Sequence, residues 1–162
     1  MLGLLVFGSA CGGDMSKNDE PLRVKPLDDT RAIAERYARA VLDVIGAPVT
    51  PQGLSSKDGP CEGLDGSVSD ADSYSLLHMY NVIVAPAHQV EALRRVRDAF
   101  TAQGVKVVQD EIYDIPESPG GKVSGVGEAD GFRILVSSTA PPEQITVWVT
   151  SPCFAKPGRG PK

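Results

Sequence analysis

Tyr74-Ser-Leu-Leu-His-Met-Tyr-Asn-Val-Ile-Val-Ala85 decides the architecture. In an extended chain Tyr74, Leu76, Tyr80 and Val82 share one side, and Leu77, Met79 and Ile83 share the other. A strand apolar on both sides is an interior one, covered on one face and partly on the other. Pro86 follows at once, and proline fits the first turn of a helix, where its missing N–H has no partner to lose. Val90, Leu93, Val96 and Phe100 then recur at helical spacing, with Arg94, Arg95, Arg97 and Asp98 elsewhere and Gly104 at the end.

Downstream, residues 105–114 read as a strand whose alternation slips in the middle, which predicts a bulge. Residues 122–128 and 132–138 flank Ala129-Asp130-Gly131, a hairpin signal. Pro141-Pro142 breaks the chain, and residues 145–150 alternate cleanly as a last strand. Upstream, Asp28, Asp29 or Thr30 caps a helix over residues 30–45, with Gly46 past its end and Pro48 as a stop. Its apolar stripe is Ile33, Tyr37, Val41 and Val44, widened by Ala34, Ala38 and Ile45. Residues 49–73, dense in Gly, Pro, Ser and Asp, read as a loop.

The order is helix, strand, helix and four more strands. Short turns between late strands favour antiparallel pairing, and two helices sharing one apolar side complete a layer. The expectation is an α+β two-layer sandwich: a largely antiparallel β-sheet of about five strands with two helices on one face. A single domain covers residues 30–154, with a flexible tail over 155–162.

The whole chain has 162 residues, 41% of them apolar and 23% charged. That suits one domain with a real core. A net charge of −5 and a pI near 5.0 argue against nucleic acid, whose phosphates call for Lys and Arg.

Met1-Leu-Gly-Leu-Leu-Val-Phe-Gly-Ser-Ala-Cys11 is an uncharged apolar run, then small residues, then one cysteine. Gly8-Ser9-Ala10-Cys11 resembles the lipobox that ends a bacterial lipoprotein signal peptide. The resemblance implies that residues 1–10 are a signal-peptide remnant and that Cys11 carries the lipid, palmitate among its acyl chains. The basic segment of a secretory signal is expected upstream of Met1. Residues 11–29 are then the lipidated cysteine and a polar tether, long enough to separate domain and bilayer by roughly 20–25 Å. Two acyl chains anchor stably where one is marginal. The expected location is the cell membrane, on its extracytoplasmic side.

Cysteine arithmetic agrees. The remaining pair, Cys61 and Cys153, should form a disulfide in an oxidising compartment. Neither lies in a C-x-x-C, which disfavours a redox site. Cys61 in its loop, the Tyr-Asn-Val-Ile-Val strand and the closing Val-Thr-Ser-Pro-Cys153-Phe are similar to small secreted lipoproteins of high-GC Gram-positive (actinobacterial) type. That group has no uniform activity to carry over.

Candidates for chemistry are few. His78 and His88 are the two histidines, and neither sits in a zinc spacing. His78 lies on the side of Tyr74, Leu76, Tyr80 and Val82, where a satisfied sheet residue is expected. Asp65, Asp70 and Asp72 invite a calcium reading, but the glycine and the closing glutamate of such a loop are absent. Gly125-Val126-Gly127 precedes a strand rather than opening a helix, so it reads as a turn. No cofactor, no metal and no catalytic residue is expected. A small hydrolase pairing His78 or His88 with an Asp of the 65–72 loop is the alternative, and a purely structural envelope component is another.

One surface has promise. If Ile145, Val147 and Val149 face the helices, Thr146, Trp148 and Thr150 face outward. Likewise Phe132, Ile134 and Val136 point in and leave Arg133 and Leu135 out. Exposed Trp and Arg mark recognition surfaces. The expected function is an envelope binding module that displays this face to an unidentified protein or ligand.

Overall fold

A computed structural model describes residues 21–47, 53–61, 72–139 and 143–158. The Tyr74–Ala85 run forms β2 (Ser73–Ile83) and then leads straight into α2 (Pro86–Ala102). The other elements are α1 (Leu27–Ile45), β1 (Ser55–Gly59), β3 (Val105–Tyr113), β4 (Gly120–Gly127), β5 (Arg133–Thr139), β6 (Gln144–Thr150) and β7 (Phe154–Ala155). The sheet order is β1-β2-β6-β5-β4-β3, every neighbour antiparallel, and β7 pairs the start of β2. α1 packs on β2 and β6, and α2 on β3 through β6, so both helices cover one face. This is the α+β two-layer sandwich, with β2 an interior strand.

The five expected strands are joined by two that sequence reading misses. β1 is Ser-Ser-Lys-Asp-Gly, with no apolar residue to signal it. It forms because β2 offers a free edge, Ser55 pairing Met79 and Gly59 pairing Ser75. β7 lies where a fraying tail is expected. Phe154 is fully buried against the rings of Tyr74 and Phe132, and the Lys156 N–H bonds the Asp72 carbonyl. The ordered chain therefore runs past residue 154.

The other boundary moves as well. Val24 bridges Ala155, Lys25 N–H donates to the Ala155 carbonyl and Ala155 N–H to that of Arg23. The end of the expected tether is thus docked on β7, and the helix begins at Leu27. Its N-cap is Pro26, with no side-chain cap. Thr30 is not that cap. It is buried in the first turn, where its Oγ1 contacts the Tyr74 hydroxyl at 2.7 Å and bonds the Pro26 carbonyl. Asp28 and Asp29 stand in the same turn, where carboxylates favour the positive end of the helix dipole. At the far end Gly46 adopts φ 70°, the left-handed cap that glycine reaches without strain.

Small side chains set how closely the layers approach. Ala34 and Ala38, both fully buried, form the middle of the α1 stripe, while Ile33, Tyr37 and Val44 stand half-buried at its sides. On β4 the reason for the glycines is similar. Gly125-Val126-Gly127 is strand rather than turn, and Gly125 pairs Val107 and the buried Ile134 on the helix side. A β-carbon at Gly125 would stand 2.5 Å from Val105 Cγ1 and 3.0 Å from Phe100 Cδ2. Gly125→Val is therefore expected to destabilise by about 1–3 kcal/mol through overpacking, seen as a lower urea midpoint at unchanged slope. A neutral result would mean that α2 can shift away from β4.

The turn after β4 is the expected hairpin. Gly131 has φ 79° and its N–H bonds the Gly127 carbonyl. The Asp130 carboxylate accepts from the Tyr37 hydroxyl at 3.1 Å and from Phe132 N–H at 3.2 Å, which ties the turn to α1. Burial and the adjacent Asp130 raise the Tyr37 pKa above its ordinary value. The expected bulge in β3 falls between Val107 and Gln109.

Candidate functional site

Alternation and register sort the sheet into a helix side and an open side. Arg31 of α1 reaches Asp58 at 3.3 Å, and Arg97 of α2 reaches Asp110 at 3.6 Å, so those carboxylates face the helices. Their strand neighbours Lys57, Gln109 and Glu111 face the other way. Asp110 and Glu111, adjacent in sequence, thus lie on opposite faces as alternation predicts.

On the open side the pairings run across the whole sheet. Arg133 pairs Thr150, Leu135 pairs Trp148, and Ser137 pairs Thr146. All five residues expected to share this face do so. Trp148 is 36% exposed, with Leu135 on one side and Met79 on the other. Thr146 is buried beneath its neighbours, and its Oγ1 donates to Asn81 Oδ1 at 2.8 Å. It braces the face rather than presenting itself to solvent.

The structure adds residues to this face that the sequence leaves unassigned. Register brings Leu77 opposite Thr150 and Met79 opposite Trp148, because β2 and β6 are neighbours across a long stretch of chain. Alternation within Tyr74–Ala85 already separates Leu77 and Met79 from the core side. Only the strand order shows which residues they meet. β1 adds Ser55 and Lys57 at one edge, and β3 adds Lys106, Gln109 and Glu111 at the other. Glu111 accepts from Gln109 Nε2 at 2.7 Å and from Lys122 Nζ at 3.2 Å. The Gln109 hydrogen bond, then Lys122, holds its carboxyl below the ordinary range.

The histidines lie apart from this face. His78 is 2% exposed and sits edge-on to Tyr80, ring centroids 4.8 Å apart. Neither ring nitrogen has a hydrogen-bond partner, so His78 is not the satisfied sheet residue that its neighbours suggest. Burial pushes its pKa down, and the Glu35 carboxylate opposes this only partly. A general base needs a partnered imidazole open to substrate, and His78 is neither. His88 is exposed in the first turn of α2. Asp65 and Asp70 lie outside the described residues, as does Cys11. Among the described residues no group of three or more His, Cys, Asp or Glu is placed to hold a metal ion. An open depression of about 440 Å³ runs along the solvent side of α1 between Glu35, Arg36, Arg39 and Asp43, and it is lined by that helix's own side chains.

Cys61 and Cys153 are bonded, with Cα atoms 5.8 Å apart. The bridge joins the segment after β1 to the one between β6 and β7. It therefore spans β2, which lies between them. Ser151, in the same excursion, pairs Leu76 through both backbone and side chain: its N–H donates to the Leu76 carbonyl at 2.9 Å and its Oγ accepts from Leu76 N–H at 2.9 Å. Among the described residues no helix is long and apolar enough to cross a membrane.

Comparison with protein-family models, curated proteins and solved structures finds no match for this chain.

Proposed function

We propose that this protein is a membrane-anchored lipoprotein of the extracytoplasmic side, held to the bilayer through Cys11, and that the open sheet face is its binding surface. The partition of the three cysteines carries this reading. Two are closed in a disulfide, a state that persists in oxidising compartments. The third stands alone behind Gly8-Ser9-Ala10, followed by polar residues suited to a tether. The arrangement resembles that of small secreted lipoproteins of actinobacterial type.

The location is tested by intact mass of the protein from the membrane fraction of its host, with and without reductant. The expected species begins at Cys11, carries diacylglyceryl and acyl groups, and gains two hydrogens on reduction. A full-length thiol form in the cytosol would overturn both the anchor and the compartment.

The binding role rests on an exposed Trp at the middle of the sheet face turned away from both helices, flanked by Leu135, Met79 and Arg133. Anchors of this kind dominate recognition energetics when a partner desolvates them. Trp148→Ala is expected to weaken capture of a partner from envelope extract by about tenfold or more, while the variant stays folded with a urea midpoint lowered only by the loss of packing on Leu135 and Met79. Undiminished capture by the folded variant removes the open face from the role.

A further inference from the structure

The open face carries the opposite charge to the chain as a whole. The net charge is −5, yet among the described strand residues of this face Lys57, Lys106, Lys122 and Arg133 meet a single carboxylate, Glu111. Lys122 is paired with that carboxylate at 3.2 Å. Lys57, Lys106 and Arg133 have no ion pair among the described residues. The acidic side chains of the 58 and 110 positions are turned away and neutralised by helix arginines.

Register places Lys57, Arg133 and Lys106 in one row. Lys57 pairs Leu77, Leu77 pairs Thr150, Thr150 pairs Arg133, Arg133 pairs Val126 and Val126 pairs Lys106. At a strand spacing of about 4.8 Å, the Lys57 position lies about 14 Å from Arg133, and Arg133 about 10 Å from Lys106. The next row over is Ser55, Met79, Trp148, Leu135, Ser124 and Gln109. A cationic line thus runs across the strands beside an aromatic platform, with hydroxyl and amide side chains around both.

We infer that the open face binds a linear anionic polysaccharide, laid across the strands along the Lys57–Arg133–Lys106 row with Trp148 as its stacking platform. This rests on the binding-face reading above and names the ligand class. Spread over five strand spacings, about 24 Å, the three cations cannot all converge on one small anion, but they match charge repeated along a chain. An exposed aromatic ring accepts the apolar face of a sugar, and Thr150, Ser137 and Gln109 supply donors and acceptors for its hydroxyls. The other occupants fit less well. A second copy would set this cationic row against its own like charge. An extended peptide adds to a sheet edge, not to its face. Single-stranded nucleic acid relies on successive aromatic platforms, and the centre of this face has one.

The test uses the purified, unlipidated full chain, with polygalacturonate as ligand and dextran as the uncharged control. Affinity electrophoresis or titration calorimetry reads the binding. Polygalacturonate is expected to bind with an affinity that falls as salt rises, and dextran is not expected to bind measurably. Lys57→Gln, Lys106→Gln and Arg133→Gln together should lower affinity about tenfold or more, as should Trp148→Ala. Arg36→Gln with Arg39→Gln, on the solvent side of α1, should leave it unchanged. Absence of polygalacturonate binding overturns the inference, as does equal loss in the α1 control. Phosphatidylglycerol vesicles or oligo-dT bound as strongly, with the same dependence on the row, would reassign the face to lipid or nucleic acid. If Trp148→Ala still abolishes capture of an envelope protein while polygalacturonate fails to bind, the ligand class falls and the binding face stands. If both fail, both readings fall.

Discussion

The Cys61→Ser, Cys153→Ser double variant is expected to lose about 4–5 kcal/mol of unfolding free energy. The bridge links residues 92 apart in sequence. Joining such distant points removes a large share of the unfolded chain's freedom, which on the chain-entropy account gives a stabilisation of this order. Domains of this size unfold with about 5–15 kcal/mol in total, so the loss removes a large fraction. The double variant is the right comparison, since a single one leaves a free thiol. Urea unfolding of the oxidised protein and the variant measures the difference. A loss under about 1 kcal/mol would show that the bridge constrains little. A local readout comes with it. β1 has no apolar side chain and among the described residues pairs only β2, so its amides should exchange faster once Cys61 is released.

Acid should destabilise the fold through His78. In the unfolded chain its imidazole titrates near pH 6.5. In the fold, burial lowers that pKa, because a charged ring between α1 and β2 would have neither water nor a hydrogen-bond partner. Glu35 on α1 is the carboxylate that offsets this in part, and Tyr80 beside it on β2 is neutral, its own pKa raised by burial. Below about pH 6.5 the unfolded state therefore binds more protons than the folded one. Stability falls as pH drops through that range toward the folded-state pKa, at up to about 1.4 kcal/mol per pH unit. His78→Leu fills a similar volume, carries no titrating group and breaks no hydrogen bond. Its stability at pH 7 should be equal to wild type or higher. The test is the urea midpoint of both proteins at pH 5, 6 and 7. A wild-type curve that parallels the variant's across this range would exclude His78 as the acid-sensitive group.

The elements that sequence makes legible are those with strong local periodicity. Val90, Leu93, Val96 and Phe100 on α2 and Ile145, Val147 and Val149 on β6 all point where their spacing says, and all are buried. The slip in β3 is a bulge, and Ala129-Asp130-Gly131 is a turn. The outward set Arg133, Leu135, Trp148 and Thr150 follows from the same alternation. Local periodicity is a property of a dozen residues, so a dozen residues are enough to read it.

What it misses depends on partners distant in the chain. Ser55-Ser-Lys-Asp-Gly59 has poor strand propensity and becomes a strand because β2 supplies the hydrogen-bonding edge. Residues 23–25 look like tether and are held by Ala155. Gly125 looks like a turn residue, and its lack of a side chain instead makes room for Phe100 and Val105. His78 looks like an ordinary sheet residue, and only the packing of α1 over β2 leaves its nitrogens without partners.

By itself the sequence determines the helices, five of the strands, the pairing of Cys61 with Cys153 and the side of the sheet on which Trp148 stands. These follow from spacing, the count of cysteines and alternation, all of which are local or a matter of counting. The tertiary structure alone decides the strand order β1-β2-β6-β5-β4-β3. That order sets Lys57, Arg133 and Lys106 in one row beside Trp148, although they come from three separate strands. Alternation fixes the face a side chain occupies, but only hydrogen-bonded register between distant strands fixes its neighbours on that face.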